Sequence, residues 1–242
     1  MTEFLIGSAI AAGATGVGAL PALIFRKGTH RFRDVLLAFC AGVMMAASAF
    51  ELIPQALLLS DFIMVALGLM AGVCTLTLLE RTIPHHHLEH NLYGIKVDKK
   101  AMLIVAAISL HNLPEGLSVG VSYGSDIEGL GPLIAVAIGL QNMPEGFLVA
   151  LFLIQQRVRL WFAFSIALLT GLVEFFASIV GYFLTNLVIG IVPFGLAFAA
   201  GSMLYIVYKE LIPESHGDGH ALSATYSFVL GLIGMLCLTT WF

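Results

Sequence analysis

Residues 107–116 read AISLHNLPEG, and residues 137–146 read AIGLQNMPEG. Seven of the ten positions are identical between the copies. His111, Asn112, Leu113, Pro114 and Glu115 in the first answer to Gln141, Asn142, Met143, Pro144 and Glu145 in the second, each set inside an otherwise apolar run. A carboxylate at membrane depth is costly and marks a functional site. Residues four apart on a helix share a face, so His111 lines up with Glu115 and Gln141 with Glu145. Pro114 has no N–H for the carbonyl of Leu110, and Pro144 has none for that of Leu140. Groups freed in this way are tolerated only where protein or a water-filled path satisfies them. Gly116 and Gly146 allow a neighbouring helix to approach closely. The product is a pocket of one imidazole, several amides, free carbonyls and two carboxylates.

Composition sets the medium. The chain has 242 residues, 59% hydrophobic and 11% charged, with a mean hydropathy of +0.98. Soluble domains carry roughly 25% charged residues, so this is an all-α integral membrane protein, one transmembrane domain over 1–242. No basic surface suggests a nucleic-acid partner. Cys40, Cys74 and Cys237 lie in apolar runs and are odd in number, which reads as small core residues rather than a disulfide framework. Glu3 stands where a signal peptide would carry positive charge, so the first 25 residues read as a retained span.

A span needs about 20 apolar residues. Eight are found, near 4–25, 34–54, 62–80, 101–122, 132–154, 161–184, 191–212 and 222–242. All eleven Lys and Arg fall on one side of that arrangement. Arg26, Lys27, Arg31 and Arg33 lie between spans 1 and 2; Arg81, Lys96, Lys99 and Lys100 between 3 and 4; Arg157 and Arg159 between 5 and 6; and Lys209 closes span 7. The opposite loops carry none, and one holds Asp126 and Glu128. The positive-inside rule makes the odd-to-even loops cytoplasmic and places both termini outside, as in a plasma (inner) membrane.

A second repeat is less obvious. Residues 41–56, AGVMMAASAFELIPQA, align without gaps to residues 200–215, AGSMLYIVYKELIPES, with seven of sixteen positions identical. The first copy runs outward in span 2 and the second inward in span 7. One motif on antiparallel spans predicts inverted repeats, spans 1–3 and 6–8 around a central pair 4 and 5, a 3+2+3 arrangement typical of transporters.

Imidazole and carboxylates together suit a divalent transition metal, and zinc takes nitrogen and oxygen ligands readily. Glu174 lies mid-span in LLTGLVEFFAS with no basic residue in its own span, and is expected to face the same pocket. Met44 and Met45 lie mid-span in span 2, where a thioether serves either as a soft ligand or as packing. The loop histidines His85, His86, His87 and His90, with His216 and His220 beside Glu214 and Asp218, form either a polar solvated surface or a weak capture site for metal leaving the membrane.

These motifs resemble those of the ZIP (Zrt-, Irt-like protein) family of divalent metal transporters. HNLPEG matches that family's fourth-span signature and QNMPEG its fifth. The resemblance covers essentially the whole chain. It implies uptake of Zn²⁺, and often Fe²⁺, Mn²⁺ or Cd²⁺, as transported substrate rather than cofactor, and by family alone a homodimer. It implies metal ligands at His111, Glu115, Gln141 and Glu145, with a further contact from span 2 placed at Met44. Some members hold two metals bridged by the span 4 and span 5 glutamates, and there Asn112, Asn142 and Glu174 would complete the second site. Position 141 is Gln where many members have His. Position 142 is Asn where some two-metal members have an acid, one charge fewer for a second ion. Lys209 precedes Glu210 on the inward path, where it would pair with Glu210 or occupy the second site as a tethered cation.

Function then reads as metal transport from outside to cytoplasm by alternating access, with metal passing Glu51, the central residues and then Glu210. Mg²⁺ dehydrates reluctantly and prefers oxygen, so it would be a poor substrate. The alternative from another class is an intramembrane zinc-dependent hydrolase, against which stand the single mid-membrane histidine and the lack of an HExxH motif. A channel, or a proton-driven carrier of an organic substrate, is a third reading.

Overall fold

The computed structural model describes residues 1–25, 29–82, 99–125, 127–188, 190–217 and 219–241, and among these the chain is helical with no strand. Helix α1 (Thr2–Ala19) closes in a 3₁₀ turn, Leu20–Leu23, that Pro21 opens. Helix α2 (His30–Ala46) begins at Thr29, whose side chain accepts a hydrogen bond from the Phe32 amide at 3.2 Å. That cap satisfies one of the amides a helix start leaves unpaired. α2 then widens into a π segment, Ala47–Leu52, and resumes as α3 (Ile53–Leu59) with Pro54 in its first turn. Pro54 cannot donate to the carbonyl one turn back, and the chain absorbs the missing bond by loosening the ladder rather than ending it.

Ser60 breaks the helix in an extended conformation, and the Asp61 carboxylate accepts from the Met64 amide at 2.8 Å to start α4 (Phe62–Thr82). Helices α5 (Lys99–Tyr123) and α6 (Leu130–Gln155) each run through an internal proline, Pro114 and Pro144. α7 (Leu160–Leu187) follows. α8 (Ile191–Ile206) repeats the behaviour of α2: a π segment, Val207–Leu211, and then α9 (Ile212–His216) with Pro213 in its first turn. α10 (Ala221–Thr239) ends the fold.

The eight expected spans each fall on a helix or helix pair. Among the described residues seven continuous stretches are long and apolar enough to cross a membrane, and α5 adds a helix of 25 residues. Two boundaries differ from expectation. The second span runs His30–Leu59 and the seventh Ile191–His216, both passing the proline of the ELIP motif. Glu214 and His216 therefore sit on helix rather than in the last loop.

The helices sort by contact into two groups. α1 packs on α6 and α7, and α5 on α7; α2 packs on α10, and α4 on α8. The groups meet where α5 lies against α8 and α2 against α6. Glycines mark the tightest crossings. A methyl at Gly116 of α5 would strike the Glu174 carbonyl of α7, and one at Gly146 of α6 the Thr15 carbonyl of α1. Gly42 of α2 meets the Phe228 carbonyl of α10, and Gly201 of α8 the Leu69 carbonyl of α4, in the same way. Helices in lipid associate through such close packing because burial from lipid gives little hydrophobic gain. Ile10, Leu67, Phe176 and Leu230 point outward, as lipid-facing side chains do. Cys40 is buried but Cys74 and Cys237 are exposed, so only the first is the small core residue expected of all three.

Candidate metal centre

The two helices with internal prolines, α5 and α6, together with α7 bring most of the expected ligands into one buried cluster. Asn112, Glu115 and Gln141 are 0% exposed and Asn142 and Glu174 1%. Gln141 Nε2 donates to Glu145 Oε2 at 2.7 Å and to Asn142 Oδ1 at 3.2 Å. Asn142 Nδ2 donates to Glu174 Oε2 at 2.6 Å and to the Ala11 carbonyl of α1 at 3.0 Å. Asn112 Nδ2 donates to the Thr170 carbonyl of α7 at 2.7 Å, one turn from Glu174. These bonds tie α6 to α1 and α7, and α5 to α7, and Glu174 accepts from Asn142 within the cluster. Main-chain acceptors from neighbouring helices, Ala11 and Thr170, also line the cluster, and no sequence signal identified them.

What this cluster lacks is donors. Both oxygens of Glu115 are buried without a hydrogen-bond partner, and so are Asn112 Oδ1, Gln141 Oε1, Glu145 Oε1 and Glu174 Oε1. Every one is an acceptor, whereas the three amide nitrogens are all used. Leaving a buried acceptor unpaired costs about 1–3 kcal/mol, and a cation is what satisfies several at once. Glu115 also lies within electrostatic range of Glu145 and Glu174.

His111 and Met44 stand apart from that network. His111 is 8% exposed, and its Nε2 lies 2.8 Å from Glu210 Oε2 in the π segment after α8. Met44 is 2% exposed and belongs to the apolar core that also holds Ala137 and Ile138 of α6. Among the described residues no three His, Cys, Asp or Glu side chains converge into a finished cage. The amides hold Glu145 and Glu174, and Glu210 holds His111, so closing on an ion means exchanging these hydrogen bonds for metal bonds.

Lys209 corrects an expectation. It pairs with neither Glu210 nor the acceptor-rich cluster. Its ammonium donates to Glu80 of α4 and to the Tyr205 hydroxyl at 2.7 Å. Tyr205 donates in turn to Glu80 Oε2 at 2.6 Å. Adjacent helical residues point apart, which turns Lys209 toward α4 when Glu210 turns inward. His216 Nδ1 lies 2.8 Å from the Ile212 carbonyl of its own helix, and His220 Nδ1 lies 3.0 Å from Asp34 Oδ2 of α2. His85, His86, His87, His90 and Asp218 lie outside the described residues.

The family model for the ZIP zinc transporter matches residues 80–239. The chain belongs to the ZIP family. Among curated ZIP proteins it is 36% identical to the zinc transporter GufA of Myxococcus xanthus, over 95% of this chain and 96% of that one. It is 36% identical to the zinc transporter ZIPB of Bordetella bronchiseptica, over 98% of this chain and 80% of the other. The zinc transporter ZupT of Streptococcus mutans is 30% identical over 97% of this chain and 95% of its own. ZIP proteins are transporters and not enzymes, and the hydrolase alternative gains no support from these comparisons.

Proposed function

We propose that this ZIP protein carries a divalent transition metal, Zn²⁺ foremost, from outside into the cytoplasm on a site formed by His111, Asn112, Glu115, Gln141, Asn142, Glu145 and Glu174 with Met44. The observation that carries this reading is the set of buried, donorless oxygens on Asn112, Glu115, Gln141, Glu145 and Glu174. Carboxylates and amide oxygens alone suit hard ions, and the imidazole of His111 moves the preference toward zinc. Fe²⁺, Mn²⁺ and Cd²⁺ follow as secondary substrates.

The inverted 3+2+3 arrangement belongs to the same proposal, and several correspondences support it. The paired glycines of the PEG motifs contact α7 and α1, the first helices of their respective sets. Gly42 and Gly201, aligned in the second repeat, contact α10 and α4 in the same reciprocal way. Both ELIP motifs adopt a π segment followed by a proline-started helix. In such a fold alternating access exchanges the conformations of the two repeats around a midplane site. His111 held by Glu210 supplies the step inward from that site, and Glu51, half-buried in the first π segment, the step from outside. The one-sided placement of Lys and Arg supports both termini lying outside.

Uptake of radioactive Zn²⁺ into proteoliposomes tests the reading, with Glu115→Ala and Glu145→Ala beside the wild type. Saturable uptake abolished by both substitutions is the expected result. Zn²⁺ bound without uptake by the wild type would move the function to a sensor or enzyme, and no binding would leave the PEG motifs as packing devices.

A further inference from the structure

Cys40 is 3% exposed on α2, one helical turn before Met44 and on the same face. Its Sγ lies 3.5 Å from the main-chain carbonyl oxygen of Gln141, to which the thiol donates. The thiol also lies within electrostatic range of Glu145 and Glu115. Both Glu115 oxygens and Glu145 Oε1 are the buried, unpartnered acceptors already described. A cysteine that served only as a small core residue would face methyl groups. This one donates to a main-chain carbonyl of α6 beside two buried carboxylates in electrostatic range, whereas Cys74 and Cys237 are exposed.

We propose that Cys40 is a further ligand of the transported metal, and that with Met44 it makes the α2 side of the site a sulfur wall selecting thiophilic ions, Zn²⁺ and Cd²⁺, over Mn²⁺. The inference rests on the proposed transport function. Soft sulfur ligands select zinc-like ions, whereas carboxylate and carbonyl ligands suit manganese and magnesium. A site made only of His111, the amides and the glutamates would separate these ions poorly. On binding, the S–H bond breaks, the proton passes to water, and the sulfur lone pair is shared with the metal; no electron changes hands. Gln141 closes the arrangement, because its backbone positions the thiol and its side chain positions Glu145.

The test uses the full-length protein with Cys74→Ser and Cys237→Ser, which leaves one thiol. Cd²⁺ is titrated into the purified protein and the ultraviolet thiolate-to-cadmium charge-transfer band is recorded. Uptake of Cd²⁺ and Mn²⁺ is then compared in proteoliposomes with and without Cys40→Ser. The expected result is a stoichiometric band in the one-thiol protein. The Cd²⁺ to Mn²⁺ uptake ratio should fall about tenfold in the Cys40→Ser form, the scale on which single groups around a metal act. Absence of the band, or an unchanged ratio, overturns the inference. The band needs no change at Cys40, so a folding defect in Cys40→Ser cannot hide the answer. Uptake of no metal by the wild type would overturn the transport reading itself, a distinct outcome.

Discussion

His111 Nε2 lies 2.8 Å from Glu210 Oε2, which joins the middle of α5 to the π segment that follows α8. His111 shares a helix face with Glu115, so a single imidazole links the acceptor-rich cluster to the π segment of the seventh span. Replacing Glu210 by Ala frees His111 but removes the next acceptor along the proposed path. Zn²⁺ binding by the purified protein should survive, and uptake in proteoliposomes should fall about 10-fold or more, as for loss of a group that orients a metal ligand. Equal losses in binding and uptake would place Glu210 in the site itself.

Protons compete for the same atoms. Protonated His111 carries N–H on both ring nitrogens and has no lone pair for metal, and a protonated Glu115 or Glu145 loses its charge. Acidifying the outer solution should therefore raise the KM for Zn²⁺. In His111→Ala the slope of log KM against pH should be shallower, because one competing proton is gone. Initial uptake rates over a pH series measure both slopes, and a wild-type KM independent of pH would contradict the ligand set.

Glu115 is the most poorly satisfied member of the cluster, with both oxygens buried and unpartnered. Glu115→Gln replaces one of those acceptors with a donor amid several other acceptors. The metal-free protein should gain about 1 kcal/mol, roughly 2–4 °C in Tm for a chain of this size, and lose transport. Opposed changes of that kind are the signature of a residue kept for function against stability. A thermal-stability assay in detergent without metal, beside the uptake assay, reads both.

Asn142 holds Glu174 with an amide donor at 2.6 Å. Asn142→Asp removes that donor and sets two carboxylates against each other in a buried site. The metal-free protein should lose several degrees in Tm, and Zn²⁺ should restore them by neutralising the pair. Bound metal per protein, counted by mass spectrometry, should rise toward two. A stoichiometry unchanged from wild type would mean that charge at position 142 does not decide the second ion.

Much of this was legible in the sequence because membrane rules are strict. Eight apolar runs, one-sided Lys and Arg and two PEG motifs led to the helices and to the cluster of Asn112, Glu115, Gln141, Asn142, Glu145 and Glu174. The missed features depend on which residues meet across helices. Nothing local distinguishes Cys40 from Cys74, yet packing of α2 against α6 buries one and the outward face of α4 exposes the other. Lys209 looked like a partner for Glu210 because they are adjacent in sequence, and adjacency on a helix turns side chains apart. Apolar length bounds the second and seventh spans at 54 and 212, whereas a π segment before Pro54 and Pro213 carries the helix on to Leu59 and His216.

The glycine crossings give a control on the repeat itself. A methyl at Gly116 would strike the Glu174 carbonyl and come within 2.8 Å of the Ala177 Cβ, and a methyl at Gly146 would strike the Thr15 carbonyl. Backbone is the obstacle in both, so neither crossing can yield by a rotamer change. Each substitution to Ala should cost about 1–3 kcal/mol of overpacking and displace the adjoining glutamate, Glu115 or Glu145. Gly234 on α10 has nothing within 4 Å of its added methyl. Gly234→Ala should instead gain about 0.5–1 kcal/mol, since alanine loses less backbone freedom in a helix. If the repeats are equivalent, Gly116→Ala and Gly146→Ala should lower Tm and Zn²⁺ uptake to similar degrees while Gly234→Ala leaves uptake intact. A strong defect in one PEG glycine with none in the other would show that the two halves of the site are not structurally matched.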